Sequence, residues 1–138
     1  MADQTLLKAT RMADYHHPDL QSLIEREGWR TLSTYDKIRA IHAYVRDAIR
    51  FGYNAKDTLK ASDVLKQGYG QCNTKAVLLL ALLRAVGVPA WVRALNVDSS
   101  FQKELIPGVF HTFVPKHFLH TQVLIEYEGK PKTLEGFI

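Results

Sequence analysis

Cys72 is the only cysteine in the 138-residue sequence. It lies in GQCNTKAVLLLALLRAVG, where a loop containing glycine meets a long apolar segment. A free cysteine is only a few per cent thiolate at pH 7, so an enzyme that uses one as a nucleophile must stabilise the anion. The first turn of a helix does this, because its N–H groups are unpaired and partly positive. The position is therefore compatible with a nucleophile, whereas a small buried hydrophobic side chain, the role of most single cysteines, is the other interpretation.

A thiol nucleophile needs an imidazole within hydrogen-bonding distance and a third group that orients the imidazole. The sequence has six histidines. Surface or packing roles are expected for His16, His17 and His42. His111 lies in a stretch that is expected to be irregular. His117 and His120 enter the last predicted strands. Because they are three positions apart, their side chains are expected on opposite faces of a strand.

The C-terminal sequence FLHTQVLIEYEGKPKTLEGFI predicts two strands joined by a two-residue turn at Glu128 and Gly129. The predicted pairs are Tyr127 with Lys130, Gln122 with Glu135, and His120 with Phe137. In this register, Glu135 is a diagonal neighbour of His120 on one face, at a Cα separation of about 7 to 8 Å that a glutamate spans. Glu135 can therefore orient His120. Taken singly, His120 is equally compatible with an ordinary hydrogen-bonded histidine of a strand, and Glu135 with a solvated charge of the hairpin. A slip of one residue would bring His117 to that face instead.

Helices are predicted to come first along the chain. One covers residues 19–27 and ends at Gly28, and a second, amphipathic helix begins after Ser33. A short helical turn follows around residues 62–66. The segment from about residue 73 to residue 86 is apolar on nearly every face, so other elements must surround it. This segment is predicted to be the central helix of the fold.

Strands are predicted to follow the central helix. PAWVRALNV is rich in β-branched and aromatic residues, and a long irregular connection over residues 98–116 separates it from the hairpin. Helices before strands indicate an α+β fold, with the central helix packed on an antiparallel sheet. We expect a single domain over residues 1–138, with residues 1–33 as an N-terminal helical extension and residues 34–138 as the core.

Composition excludes several classes of function. The net charge of +4 comes from 18 basic and 14 acidic residues; these are spread in ones and twos, which argues against a nucleic-acid-binding surface. The apolar runs are too short to cross a membrane, and the N-terminus has no pattern of a secretory signal. One cysteine is compatible with a reducing compartment. We expect a cytoplasmic protein without nucleic-acid or membrane partners; its oligomeric state stays open.

No cofactor is expected. A zinc site formed by Cys72, His117 and His120 is a further interpretation. The sequence has no second cysteine at close spacing and no helical pair of histidines, so the usual ligand patterns of zinc are missing. No metal is therefore expected.

Taken together, the residues resemble the core of the transglutaminase-like superfamily. GQCNTKAVLLLALLRAVGVPAWVR is similar to its nucleophile helix and following strand, and HTQVLIEYEGKPKTLE to its histidine-to-acid hairpin. The resemblance implies a papain-like α+β fold, with Cys72 as nucleophile, His120 as general base and acid, and Glu135 in the acid position. Two positions depart from the pattern. Glu135 replaces the usual aspartate, and Gln122 stands where an aromatic residue often occurs.

The resemblance implies a cysteine-dependent amide hydrolase or acyltransferase, of the peptidase, amidase or transglutaminase type, that forms a thioester with a peptide or protein substrate. The backbone N–H of Cys72 is the first candidate donor to the oxyanion, and the side chains of Gln67 and Asn54 are further candidates. The alternative is a catalytically silent copy of the fold that binds a peptide or protein. The state of the thiol discriminates between the two.

Overall fold

The computed structural model describes residues 4–56, 58–98 and 117–137, with residues 4, 94–98 and 117–120 described by their backbone alone. Four α-helices precede the main sheet in these ranges, as the α+β prediction requires. In chain order the elements are α1 (Pro18–Glu27), α2 (Thr34–Ala48), β1 (Arg50–Phe51), α3 (Ala61–Gln67), β2 (Tyr69–Gly70), α4 (Cys72–Ala85), β3 (Ala90–Asp98), β4 (His117–Tyr127) and β5 (Lys130–Leu134).

The ends of α1 and α2 follow local sequence signals. Pro18 is the first residue of α1, where its fixed φ suits the helix, and Gly28 ends the helix in the left-handed region at φ 68°. The hydroxyl of Ser33 accepts a hydrogen bond from the backbone N–H of Asp36 at 3.2 Å and so caps α2. The predicted helix stop and the predicted cap are confirmed.

The central helix is α4, and nine of its 14 residues are buried. It packs between the other helices and the main sheet, and α1 and α2 each contribute one apolar face to the same core. Those faces consist of Leu20, Leu23, Ile24, Ile38, Ile41 and Val45. The described part of the chain contains no helix with the length and apolar character needed to span a membrane.

A lysine is fully buried on α4. The Nζ atom of Lys75 donates a hydrogen bond to the backbone carbonyl of Ile49 at 2.8 Å, at the C-terminal end of α2. A cation is favourable there, because the last carbonyls of a helix are unpaired and partly negative. Burial nevertheless lowers the pKa of the Lys75 ammonium. Lys75 therefore joins α4 to α2 at a cost in desolvation.

The main sheet is antiparallel in the order β3-β4-β5. A two-residue turn joins β4 to β5, with φ of 55° at Glu128 and 76° at Gly129, as in the type I′ turns that suit hairpins. Tyr127 pairs with Lys130, which confirms the predicted register. The described ladder ends at Leu134, so the pairing of His120 with Phe137 stays a prediction.

The parallel pair β1–β2 was not among the predicted elements. Its strands have two residues each, which is too short for an alternating pattern to appear in a sequence. β2 brings Gly70 against the start of α4, where an added Cβ would lie 2.6 Å from the hydroxyl oxygen of Thr74. Only glycine fits this approach, and β2 therefore fixes the backbone just before Cys72.

Candidate active site

Cys72 is the first residue of α4 and follows the N-cap residue Gln71. Its side chain is partly exposed. The Sγ atom of Cys72 lies 3.4 Å from Oδ1 of the neighbouring Asn73, to which the thiol donates a hydrogen bond. Unpaired N–H groups at a helix N-terminus favour an anion. The predicted placement of the thiol at the start of the central helix is confirmed.

A closed ring of hydrogen bonds holds the backbone before Cys72. The N–H of Gln71 donates to the Thr74 hydroxyl at 3.0 Å, and this hydroxyl donates to Oδ1 of Asn54 at 2.6 Å. The N–H of Asn54 in turn donates to Oε1 of Gln71 at 2.8 Å. All three residues are buried. Hydrogen-bonded polar groups at this depth fix one conformation, because breaking the ring would leave buried atoms unpaired.

The two side chains predicted as oxyanion donors are hydrogen-bonded to each other. Nδ2 of Asn54 donates to Oε1 of Gln67 at 2.9 Å and to the carbonyl of Tyr69 at 3.1 Å. These two bonds use both amide hydrogens of Asn54. Gln67 is exposed, and its amide nitrogen has no partner among the described residues. Asn54 therefore has a structural role in this arrangement. The amide N–H groups of Gln67 remain available to donate to an oxyanion.

Asn73 also connects the start of α4 to the main sheet. Its Oδ1 atom accepts a hydrogen bond from the hydroxyl of Thr121 on β4 at 2.7 Å. The backbone of His120 lies one position earlier in β4, paired with Leu95. The structure therefore brings the strand that contains His120 to the residue beside Cys72. Asn73 and Thr121 were not among the predicted site residues, since only the fold places them together.

Glu135 follows β5 and is exposed. Nε2 of Gln122 on β4 donates a hydrogen bond to Oε1 of Glu135 at 2.8 Å. Oε1 of Gln122 accepts from Arg93 on β3, whose Nη2 lies 2.7 Å away. This line of three side chains crosses the sheet and holds the carboxylate. The sequence predicted that Gln122 pairs with Glu135 across the hairpin, but it predicted no role for Gln122.

The contact of Thr121 with Asn73 and the contact of Gln122 with Glu135 lie on opposite faces of β4. Thr121 and Gln122 are consecutive, so their side chains leave the strand in opposite directions. Thr121 contacts Asn73 beside Cys72, whereas Gln122 contacts Glu135. Within the described ranges, no hydrogen bond joins Cys72 to Glu135.

Two further histidines of the sequence have no described side chain. His117 is a backbone position of β4 paired with Asp98, and His111 lies outside the described residues. In the described part of the chain, no group of three histidine, cysteine, aspartate or glutamate residues could hold a metal ion.

Comparisons with known proteins agree with this architecture. A family model, that of the transglutaminase-like superfamily, matches residues 26–114, well over half of the chain. A solved structure of a candidate cysteine protease from Cytophaga hutchinsonii is similar, with a TM-score of 0.73 at 18% sequence identity. The similarity covers 97% of this chain and 41% of that protein. No curated protein sequence matches the chain.

Similarity at this sequence identity shows the fold alone. It confirms the papain-like, transglutaminase-like α+β arrangement that the sequence indicated, with the central helix packed on an antiparallel sheet.

Proposed function

Because the chain belongs to the transglutaminase-like superfamily, we propose that it is a cysteine-dependent hydrolase or acyltransferase acting on an amide of a peptide or protein. The observation that carries the proposal is the placement of Cys72, whose partly exposed thiol begins the central helix. The buried ring formed by Asn54, Gln71 and Thr74 fixes this backbone. A rigid backbone of this kind keeps a nucleophile in position before the substrate arrives.

The proposed reaction has two steps. The thiolate of Cys72 attacks the carbonyl carbon of the amide, a C–S bond forms, and the C–N bond breaks as imidazolium His120 gives its proton to the leaving amine. Water or an amine then attacks the thioester, neutral His120 takes the proton of the attacking group, and the thiolate leaves. In both steps the backbone N–H of Cys72 and the amide of Gln67 are proposed to donate to the oxyanion.

Glu135 is proposed as the group that orients His120 and stabilises its imidazolium. Support comes from the hairpin register, which is the predicted one where the ladder is described. Support also comes from the bond between Gln122 and Glu135, which holds the carboxylate two positions along β4 from His120. The longer side chain of glutamate suits the diagonal separation across two strands.

A second candidate function is a protein that binds a peptide without turnover. The observation that favours it is the arrangement on β4, where Glu135 is held on the face opposite to the contact between Thr121 and Asn73. In a binding protein, Asn73 would only connect α4 to the sheet, and Cys72 would have no catalytic role.

Incubation with a library of glutamine-containing and other peptides tests the proposal, with released ammonia, cleaved peptide and incorporated amine measured separately. We expect at least one product, and no product from Cys72→Ala at equal concentration. The ratio of hydrolysis to amine incorporation then identifies the acceptor. Binding of peptides by the wild type and by Cys72→Ala, with no product from either protein, would favour the binding protein instead.

A further inference from the structure

A groove with a volume of about 610 Å³ lies between α2 and the end of β5, and Cys72 does not line it. Its helical wall carries Arg39, His42 and Arg46, and its strand wall is formed by Thr133 and Glu135. Ile38, which is buried, and Leu134, which is partly buried, form an apolar floor. We call these seven residues the α2–β5 groove.

Two contacts join α2 to the hairpin beside the groove. Nε2 of His42 donates a hydrogen bond to the backbone carbonyl of Glu135 at 2.6 Å. The rings of Tyr35 and Tyr127 lie 6.5 Å apart. The helix therefore runs beside the hairpin, and the groove lies between them.

The helical wall of the groove is positively charged. Arg39 is exposed and has no ion-pair partner in the described part of the chain. Arg46 forms a two-point contact with Asp47, with nitrogen-to-oxygen distances of 2.8 and 2.9 Å. The carboxylate of Glu135 on the strand wall accepts a hydrogen bond from Gln122. The guanidinium group of Arg39 is the free cation of the described groove, and it is suited to a carboxylate because its planar N–H groups match two oxygens.

The strand wall offers an open main-chain edge. Among the described residues, β5 pairs only with β4. The two-residue turn makes Tyr127 and Lys130 a hydrogen-bonded pair, so alternation directs the N–H and C=O of Thr133 away from β4. The contact of His42 with the carbonyl of Glu135, two positions later, agrees with this direction.

We propose that the α2–β5 groove binds a short, extended, acidic segment of a peptide or protein. The main chain of the ligand pairs with the N–H and C=O of Thr133, and one of its carboxylates contacts Arg39. This is strand addition combined with charge complementarity. Pro131 lies on the same edge and has no N–H, so the pairing is confined to a short stretch.

A peptide fits these features better than a nucleic acid does. The groove has an apolar floor, and its main-chain edge is complementary to another peptide backbone rather than to phosphates. A nucleic-acid surface needs a larger array of cations than Arg39 and Arg46. The groove shares Glu135 with the proposed active site. The proposal nevertheless does not depend on catalysis, because Cys72 lies outside the groove and the ligand contacts are made by Arg39 and the backbone of Thr133.

Fluorescence anisotropy of a labelled peptide with alternating glutamate and valine tests the proposal on the full chain carrying Cys72→Ala. We expect this peptide to bind about threefold to tenfold more tightly than the same peptide with glutamine in place of glutamate. Its affinity should fall as salt is added. Turnover is absent from this protein, so failure of the proposed enzymatic function would leave the binding result unchanged.

Matched variants test the charge of Arg39 and the main-chain edge of β5 separately. Arg39→Gln should weaken binding about threefold to tenfold, whereas Arg11→Gln, which removes an exposed arginine outside the groove, should leave it unchanged. Thr133→Pro removes the N–H and should abolish binding, whereas Thr133→Val keeps it and should bind normally. If circular dichroism shows that Thr133→Pro is unfolded, peptides with N-methyl groups on successive amides test the same main-chain pairing. Methylation of an amide that pairs with Thr133 should weaken binding.

Three results would overturn the proposal. The first is equal affinity for the glutamate and glutamine peptides. The second is an equal loss of affinity in Arg39→Gln and Arg11→Gln. The third is binding of a single-stranded oligonucleotide or of anionic lipid vesicles that depends on Arg39, without binding of the acidic peptide.

Discussion

Gln122 holds Glu135 across the hairpin, with 2.8 Å between Nε2 of Gln122 and Oε1 of the carboxylate. The amide of Gln122 is itself fixed, because its oxygen accepts a hydrogen bond from Arg93. An amide held at both ends can orient a carboxylate, as neighbouring groups do in catalytic and metal sites. Gln122 is therefore expected to be a positioning residue if Glu135 is the acid of the site.

Gln122→Leu should lower kcat about twofold to tenfold while leaving KM nearly unchanged, since the carboxylate loses an orienting hydrogen bond and the substrate keeps its contacts. Steady-state kinetics with the best substrate of the peptide library measure both constants. Gln122→Asn shortens the same amide and should retain part of the activity. A change in KM alone would argue for a contact of Gln122 with the substrate.

Glu135→Gln should lower turnover more than Glu135→Asp does, with a loss on the order of 100-fold for the amide. Glutamine removes the charge that stabilises the imidazolium of His120, whereas aspartate keeps the charge and loses only reach. The two rate constants are compared at saturating substrate. Equal losses would indicate that Glu135 has a structural role, in agreement with its place on the opposite face from Asn73.

The sequence predicted the parts of the fold that depend on local signals. Gly28 ends α1, Ser33 caps α2, and the turn at Glu128 and Gly129 sets the hairpin register, as predicted. Each of these features follows from a few neighbouring residues whose backbone preferences are strong. The apolar composition of α4 likewise predicted its central position.

Contacts between distant segments were not predictable from the sequence. Asn54 and Thr74 are 20 positions apart and are joined in a buried ring only because β1 and β2 pair. The contact between Asn73 and Thr121 spans 48 positions. Each of these residues alone has the pattern of an ordinary loop, helix or strand position, so its role appears only in three dimensions.

Thr74→Val should destabilise the protein by about 1 to 3 kcal/mol, because it leaves the buried N–H of Gln71 and Oδ1 of Asn54 without the hydroxyl. Urea unfolding followed by circular dichroism measures the change. Thr133→Val is the matched control, since Thr133 is exposed on β5 and its replacement should change stability little. Similar values for both variants would show that the buried ring does not stabilise the fold.

Lys75→Met should remove a pH dependence of stability. The folded protein depresses the pKa of Lys75 below its ordinary value of 10.5 through burial. Between the folded and the unfolded pKa the unfolded state binds more protons, so the contribution of Lys75 to the unfolding free energy rises with pH. This contribution is fully present above 10.5 and is lost as the pH falls through the folded pKa.

Urea unfolding at several pH values from 7 to 10 measures this effect. The wild type should gain stability relative to Lys75→Met as the pH rises. Lys66→Met, at an exposed position of α3, should follow the wild type at every pH. A difference between wild type and Lys75→Met that does not change with pH would contradict the depressed pKa.

Alkylation of Cys72 by iodoacetamide reports directly on the thiol, because any label in the intact protein belongs to this one cysteine. We expect rapid labelling at pH 7, since both the start of α4 and a protonated His120 favour the thiolate. His120→Ala should slow the labelling, though not to the rate of an unfolded control, because the helix N-terminus remains. His117→Ala is the matched control and should label like the wild type. Slow labelling of the folded wild type that ignores His120→Ala would indicate a structural cysteine and favour the binding protein, whereas an effect of His117→Ala alone would mean that the register of β4 places His117 beside the thiol.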